Sequence, residues 1–204
     1  MLEVHDLAAQ RGHARLFAGL SFEVGPGRAL VVTGANGTGK TTLLRMLAGL
    51  SLPSAGEIRW NGRPVAPFDP EVRASVAYAG HATALKDELT AEENLTALAT
   101  LAGETVSSES IRGALDIVGL GSRRTLPARV LSQGQRRRIG LARLSLLARP
   151  LWILDEPVTA LDAAGAGLLT AMVAARLDRG GIAVAATHAP LGLPESRSHS
   201  ITLA

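Results

Sequence analysis

Hydrophobic residues along this chain change period several times, and each change marks an element. The early runs are short and β-like: Leu2 to Val4, Leu20 to Val24 and Ala29 to Thr33. The last is apolar throughout, as a strand covered on both faces must be. After Gly39 the spacing becomes helical, with Leu43, Leu44, Leu47 and Leu50 on one face and an end near Gly49. Glu57 to Trp60, then Asn61-Gly62, then Pro64-Val65 predict a small β element around an Asn-Gly turn. Ser75 to Ala79 predicts a further strand.

Helices dominate the middle. Thr90-Ala91-Glu92-Glu93 is a capping box, with Thr90 as N-cap and Glu93 three residues on. Further helices are predicted over Ser108 to Val118, stopping at Gly119, and from about Gln133 to Ala148. LWILD, residues 151–155, is a short buried strand, and a long helix runs from about Ala163 to Asp178, closed by Gly180-Gly181. Ile182 to Thr187 is another apolar strand, and Ile201 to Leu203 a final edge. Such alternation argues for α/β with a parallel sheet. The block between two core strands reads as an inserted helical subdomain, approximately residues 88–148, within a single domain of residues 1–204.

Composition narrows this only a little. With 204 residues and 47% hydrophobic side chains, the chain can bury a core, built from Ala, Leu, Val and Ile because aromatics are only 3%. The absence of cysteine excludes disulfides, thiolate metal sites and C-x-x-C-H haem attachment. A net charge of +3 without any long basic block is the surface of a mildly basic enzyme rather than a nucleic-acid tail. The first residues lack an apolar signal core and no apolar run is long enough to cross a bilayer, so a soluble, cytoplasmic chain is expected.

The chemistry begins at GANGTGKT, residues 34–41, which fits G-x-x-x-x-G-K-[ST] with a strand before and a helix after. Gly34, Gly37 and Gly39 let the backbone curl so that N–H groups of Ala35, Asn36, Thr38 and their neighbours point inward at phosphate, helped by the helix N-terminus. Lys40 would reach the β- and γ-phosphates, Thr41 would ligate Mg²⁺, and Thr42 could bond a further phosphate oxygen. The second half of such a site is a carboxylate ending a buried strand, and LWILDEP supplies it: Asp155 for Mg²⁺ and Glu156 to orient an attacking water. Two adjacent carboxylates at the end of a buried strand are costly unless a cation or proton resides there. The expected fold is therefore an α/β P-loop NTPase core with a parallel sheet, an N-terminal antiparallel β subdomain and the inserted helical subdomain.

A P-loop alone leaves kinases, GTPases and many ATPases open. LSQGQRRR, residues 131–138, narrows the choice. By itself it is a loop entering a helix, whose three early arginines oppose the helix dipole and so call for acidic or anionic partners. With the rest of the chain it resembles the nucleotide-binding subunits of ABC transporters: Leu131-Ser132-Gln133-Gly134-Gln135 looks like the LSGGQ signature, Thr159-Ala160-Leu161-Asp162 like the D-loop and His188 like the switch histidine. The resemblance implies a head-to-tail homodimer in which each ATP lies between the P-loop of one chain and Ser132, Gly134 and Gln135 of the other. It also implies that Asp162 belongs to that interface, that Glu156 and His188 are catalytic, and that membrane subunits feel the dimer open and close.

Two positions depart from that family's pattern. A glutamine usually follows the strand after the P-loop helix, and here His81 stands there; a histidine can still bond water or phosphate. An aromatic that stacks on adenine is missing ahead of LFAGLSF, where Arg11 or His13 could take its place. These departures, the short chain and LWILDEP are similar to the ATP-binding subunit of the haem exporter of cytochrome c maturation, which would place the protein peripherally at the cytoplasmic face of the inner membrane. Five scattered histidines without cysteine give no sign of direct haem binding. The alternatives are another small ABC transporter subunit, a soluble ABC ATPase acting on nucleic acid or ribosomes, and a P-loop small-molecule kinase. The last would leave LSQGQ, the D-loop and His188 without a purpose.

Overall fold

The structure, a computed structural model, describes residues 1–204. Backbone contacts divide them into two compact units: residues 1–78, 149–156 and 173–204, and residues 79–148 and 157–172. The first unit holds strands β1 (Leu2–Arg11), β2 (Ala14–Val24) and β3 (Ala29–Gly34), helix α1 (Lys40–Leu47), strands β4 (Ala55–Trp60) and β5 (Arg63–Pro64), and helix α2 (Pro70–Ser75). It also holds β6 (Val76–Ala79) up to Tyr78, β7 (Leu151–Asp155), β8 (Ile182–Ala186) and β9 (Ser198–Leu203). The second holds α3 (Ala91–Leu101), α4 (Ser108–Ile117), α5 (Gln133–Leu146) and α6 (Ala163–Asp178) as far as Met172. This is the α/β class that the sequence predicts, with an antiparallel N-terminal sheet beside a parallel one.

The antiparallel sheet runs β2-β1-β4-β5. Its first strand was only partly legible because its alternation slips: Leu2 and Val4 are buried, then His5 and Asp6 are both exposed before Leu7 is buried. A register shift at this point keeps Leu7 and Ala9 on the inner face, and Asp6 takes a positive φ of 47°. Asn61 and Gly62, both at positive φ, make the hairpin between β4 and β5 as expected.

The second sheet runs β6-β7-β8-β3-β9, and the pairs β7–β8, β8–β3 and β3–β9 are parallel. Every residue of β7 and β8 is buried. Leu43, Leu44 and Leu47 of α1 are fully buried in the same core as Leu30, Val32, Ile153 and Val184. Truncating one such leucine to alanine would cost about 2–5 kcal/mol. Leu50 falls beyond the end of α1, after Gly49 at φ 66°.

Some boundaries differ from the sequence reading. Helix α2 went unread, although its signal is present: the Asp69 carboxylate accepts from the N–H groups of Glu71 and Val72, and Pro70 opens the helix. Ser75 therefore ends α2, and β6 begins at Val76. Helix α5 stops at Leu146 rather than Ala148, because the chain turns extended ahead of Pro150. The last strand starts at Ser198, where polar residues hide it.

In the second unit, side chains cap the helix starts. Thr90 and Glu93 form the full capping box of α3, and the Ser107 hydroxyl accepts from Ser110 at α4. Leu95, Ala99, Ile111, Leu115, Ile139 and Ala142 form its buried interior.

Candidate nucleotide site

Parallel strands end on one edge, and that edge builds the site. Because β7, β8 and β3 are neighbours in parallel register, Asp155 lies level with Ala186 and Ala186 with Val32, two residues before the end of β3 at Gly34. The backbone stays tied past their ends: Glu156 N–H donates to Ala186 O at 2.8 Å, and Thr187 N–H to Val32 O at 3.3 Å.

Between β3 and α1 the loop curls back on itself. Thr38 Oγ1 donates to Ala35 O at 3.0 Å, and Lys40 Nζ donates to Gly34 O at 2.7 Å and Ala35 O at 3.0 Å. Gly39 has φ 101°, and a Cβ there would lie 3.1 Å from Leu16 Cβ, so glycine is required both by conformation and by space. No side chain caps α1 and its first turn holds no acid. Its unpaired N–H groups and the positive end of its dipole therefore face outward beside the buried ammonium of Lys40. Such an end is complementary to phosphate.

Opposite stands a buried carboxylate. Asp155 is 3% exposed and accepts from Thr41 Oγ1 at 3.0 and 3.2 Å. The Tyr78 phenol is pushed up to about 12, first by burial, then by the Asp155 charge and a hydrogen bond to Asp155, with Arg45 opposing. Sequence reasoning missed Tyr78; only its place near the end of a predicted strand pointed to it. A hydroxyl and a buried carboxylate are hard oxygen donors that fit Mg²⁺, so Thr41 and Asp155 suit it.

Glu156 takes a left-handed φ of 49°, a conformation uncommon outside glycine and locally strained. His188 Nε2 lies 3.5 Å from Glu156 Oε1 and 3.2 Å from Asn36 Oδ1, joining the β8 end to the P-loop. A cavity of about 270 Å³ opens here, lined among others by Arg11, Leu16, Asn36, Lys40, Thr42 and Glu156. Arg11 reaches this lining; His13 is exposed and does not. The geometry thus gathers Gly34 to Thr42, Asp155, Glu156 and His188 in the first unit.

His81, Ser132, Gly134, Gln135 and Asp162 lie in the second unit. Ser132 caps α5 in a capping box: its Oγ accepts from Gln135 N–H at 3.2 Å, and Gln135 Oε1 accepts from Ser132 N–H at 3.0 Å. The Ser-x-x-Gln spacing carried this signal. Gly134 is closely approached, since a Cβ there would come within 2.7 Å of Ala160 O. Asp162 is held below the usual carboxylate range, chiefly by the Gly165 N–H and then by hydrogen bonding to Arg138. The early arginines of α5 do find partners. Arg136 pairs with Asp87 at 2.6 Å and Arg138 with Asp162, while Arg137 donates to the peptide carbonyls of Gly80 and His81. The His81 imidazole is exposed.

A phosphate-gripping loop, a buried carboxylate with a glutamate next to it and a capped signature helix define an ABC-type ATPase. The profile of the ABC transporter family matches residues 17–159. Over 198 residues the chain is 50% identical to the cytochrome c biogenesis ATP-binding export protein CcmA of Pseudomonas aeruginosa, covering 97% of this chain and 98% of that one. The protein of the same name from Dechloromonas aromatica is 48% identical over 203 residues, with 100% of both chains covered. Among solved structures, an ABC transporter ATP-binding protein from Pyrococcus furiosus superposes with a TM-score of 0.85 at 26% identity, covering 99% of this chain and 96% of that one. The chain belongs to the ABC transporter family, within its group of cytochrome c biogenesis ATP-binding export proteins.

Proposed function

We propose that this ATPase drives haem export for cytochrome c biogenesis, bound to membrane subunits at the cytoplasmic face of the inner membrane. The observation that carries the reading is the meeting of the P-loop, Asp155, Glu156 and His188 at one sheet edge in a chain similar to named export proteins. No helix is long and apolar enough to cross a membrane, so the span would come from partners.

In this reading the N–H groups at the start of α1 and the Lys40 ammonium hold the β- and γ-phosphates of ATP. Arg11, in the cavity lining, stacks on the adenine in place of an aromatic residue. Thr41 and Asp155 hold Mg²⁺, which when bound neutralises charge developing on the phosphate oxygens. Glu156 orients a water and takes its proton as the water oxygen bonds to the γ-phosphorus and the bond to the β-phosphate oxygen breaks, giving ADP and phosphate. His188 donates from Nε2 toward the γ-phosphate and keeps Glu156 in place. Ser132, Gly134 and Gln135 act on the ATP held by a second copy of the chain, with Asp162 at the same junction, so that two chains close around two nucleotides. His81 takes the role of a nucleotide-sensing side chain in this reading. Neither haem nor nucleic acid has a direct site in this reading.

Affinity capture of the tagged chain from detergent-solubilised native membranes, followed by mass spectrometry, tests the assignment. Co-purifying haem-export membrane subunits are expected. Membrane subunits of a different transporter would overturn the haem cargo, and soluble proteins or RNA alone would overturn the transporter role.

A further inference from the structure

Three charged side chains are buried in this chain: Lys40, Asp155 and Arg137. The first two serve the nucleotide site, and Arg137, 6% exposed, has no part in the chemistry above. A buried guanidinium costs several kcal/mol unless hydrogen bonds compensate it. Here its Nη1 donates to Gly80 O at 2.8 Å and His81 O at 2.9 Å, two consecutive peptide groups. One rigid planar group thus fixes both peptide planes that lead into and out of His81.

Other contacts fasten the same segment to the same helix. Thr83 lies so close over Gly140 that a Cβ there would meet Thr83 Cγ2 at 3.3 Å. Asp87 pairs with Arg136 at 2.6 Å. Buried Asn94 accepts from Lys86 N–H at 2.8 Å and donates to Lys86 O at 2.9 Å, pinning the segment to α3 as well. Arg137 is the member of this set that reaches His81 itself, and it lies on α5, five residues after Ser132.

We propose that Arg137 is a positioning residue for turnover: it locks the backbone at His81 to the helix that begins with Ser132, so that the imidazole and the signature loop move as one piece. The proposal rests on the reading of His81 as part of the nucleotide site. Arg137 acts here through the Gly80 and His81 carbonyls, so its loss should lower kcat and leave KM for ATP unchanged.

The test uses the purified full-length chain. In Arg137→Gln, amide exchange at residues 80–83 should quicken at least about tenfold while that of α1 stays as in the unaltered chain. A double-mutant cycle with His81→Ala separates a local role from general damage. If Arg137 acts through His81, Arg137→Gln lowers kcat alone but adds no loss in the His81→Ala background. Equal losses in both backgrounds, or unchanged exchange at 80–83, overturn the proposal. If His81→Ala alone turns over at the normal rate, the reading of His81 fails and with it the catalytic consequence, and exchange alone decides whether Arg137 pins the segment. Should Arg137→Gln not fold, Arg137→Lys, which keeps the cation but lacks the planar fork, enters the same cycle and is expected to give a smaller loss of the same kind.

Discussion

Thr41 Oγ1 lies 3.0 and 3.2 Å from the two carboxylate oxygens of Asp155, a hydroxyl in the first turn of α1 bonded to the end of β7. The pair ties the start of α1 to the end of β7. Thr41→Ala deprives a buried carboxylate of one donor, which costs about 1–3 kcal/mol of stability. It should also raise the Mg²⁺ concentration for half-maximal turnover about tenfold or more. Thr41→Ser should stay near the parent on both counts. Thermal denaturation and a Mg²⁺ titration of ATPase rate check this; an unaltered Mg²⁺ dependence in Thr41→Ala would remove Thr41 from the metal site.

The helical unit depends on its caps. Thr90 and Glu93 satisfy two donors at the start of α3, with Thr90 Oγ1 accepting from Glu93 N–H at 3.2 Å and Glu93 Oε2 accepting from Thr90 N–H at 2.8 Å. Thr90→Ala should destabilise the chain by about 1 kcal/mol and lower Tm by about 2–4 °C. Thr90→Ser should restore most of the loss, as scanning calorimetry would show.

Much of the architecture was legible because local and global signals agree. LWILD reads as a strand buried on both sides and is one, and the capping box at Thr90 and the glycines at 180 and 181 mark real helix ends. The strand, loop and helix around Gly34 to Thr42 were legible for the same reason, since the residues that make them are contiguous. Contacts made across the fold were not legible. Tyr78 meets Asp155, and Arg137 meets the peptide groups at His81, only because the chain folds back, and no local pattern records that. The bulge near Asp6 hid most of β1 by breaking the alternation on which a strand is recognised. Arg11 and His13 were indistinguishable in sequence, two residues apart, and only the turn between β1 and β2 separates them.

Acid should loosen the D-loop. Asp162 holds its proton less tightly in the folded chain than in the unfolded one, because the Gly165 N–H and then Arg138 favour the carboxylate. Its contribution to stability is therefore complete above the ordinary aspartate value, near 3.9, and is lost as pH falls through the lowered one. Asp162→Asn should be less stable than the parent at neutral pH, and the gap should close in acid. Carboxyl-carbon NMR should place the Asp162 midpoint below that of an ordinary aspartate; a midpoint at or above it would contradict the contacts described.

In the proposed function two chains close around ATP, and Glu156 turns this grip into hydrolysis. Glu156→Gln keeps the size of the side chain and removes the base. Mixed with ATP and Mg²⁺ and passed through size exclusion with light scattering, this variant of the 21.1 kDa chain should run at twice the monomer mass with one unhydrolysed ATP per chain. Its turnover should fall at least about 100-fold. A variant that hydrolyses ATP at the parent rate would rule out Glu156 as the base, and one that binds ATP tightly yet stays monomeric while the parent turns over as a monomer would rule out the closed pair.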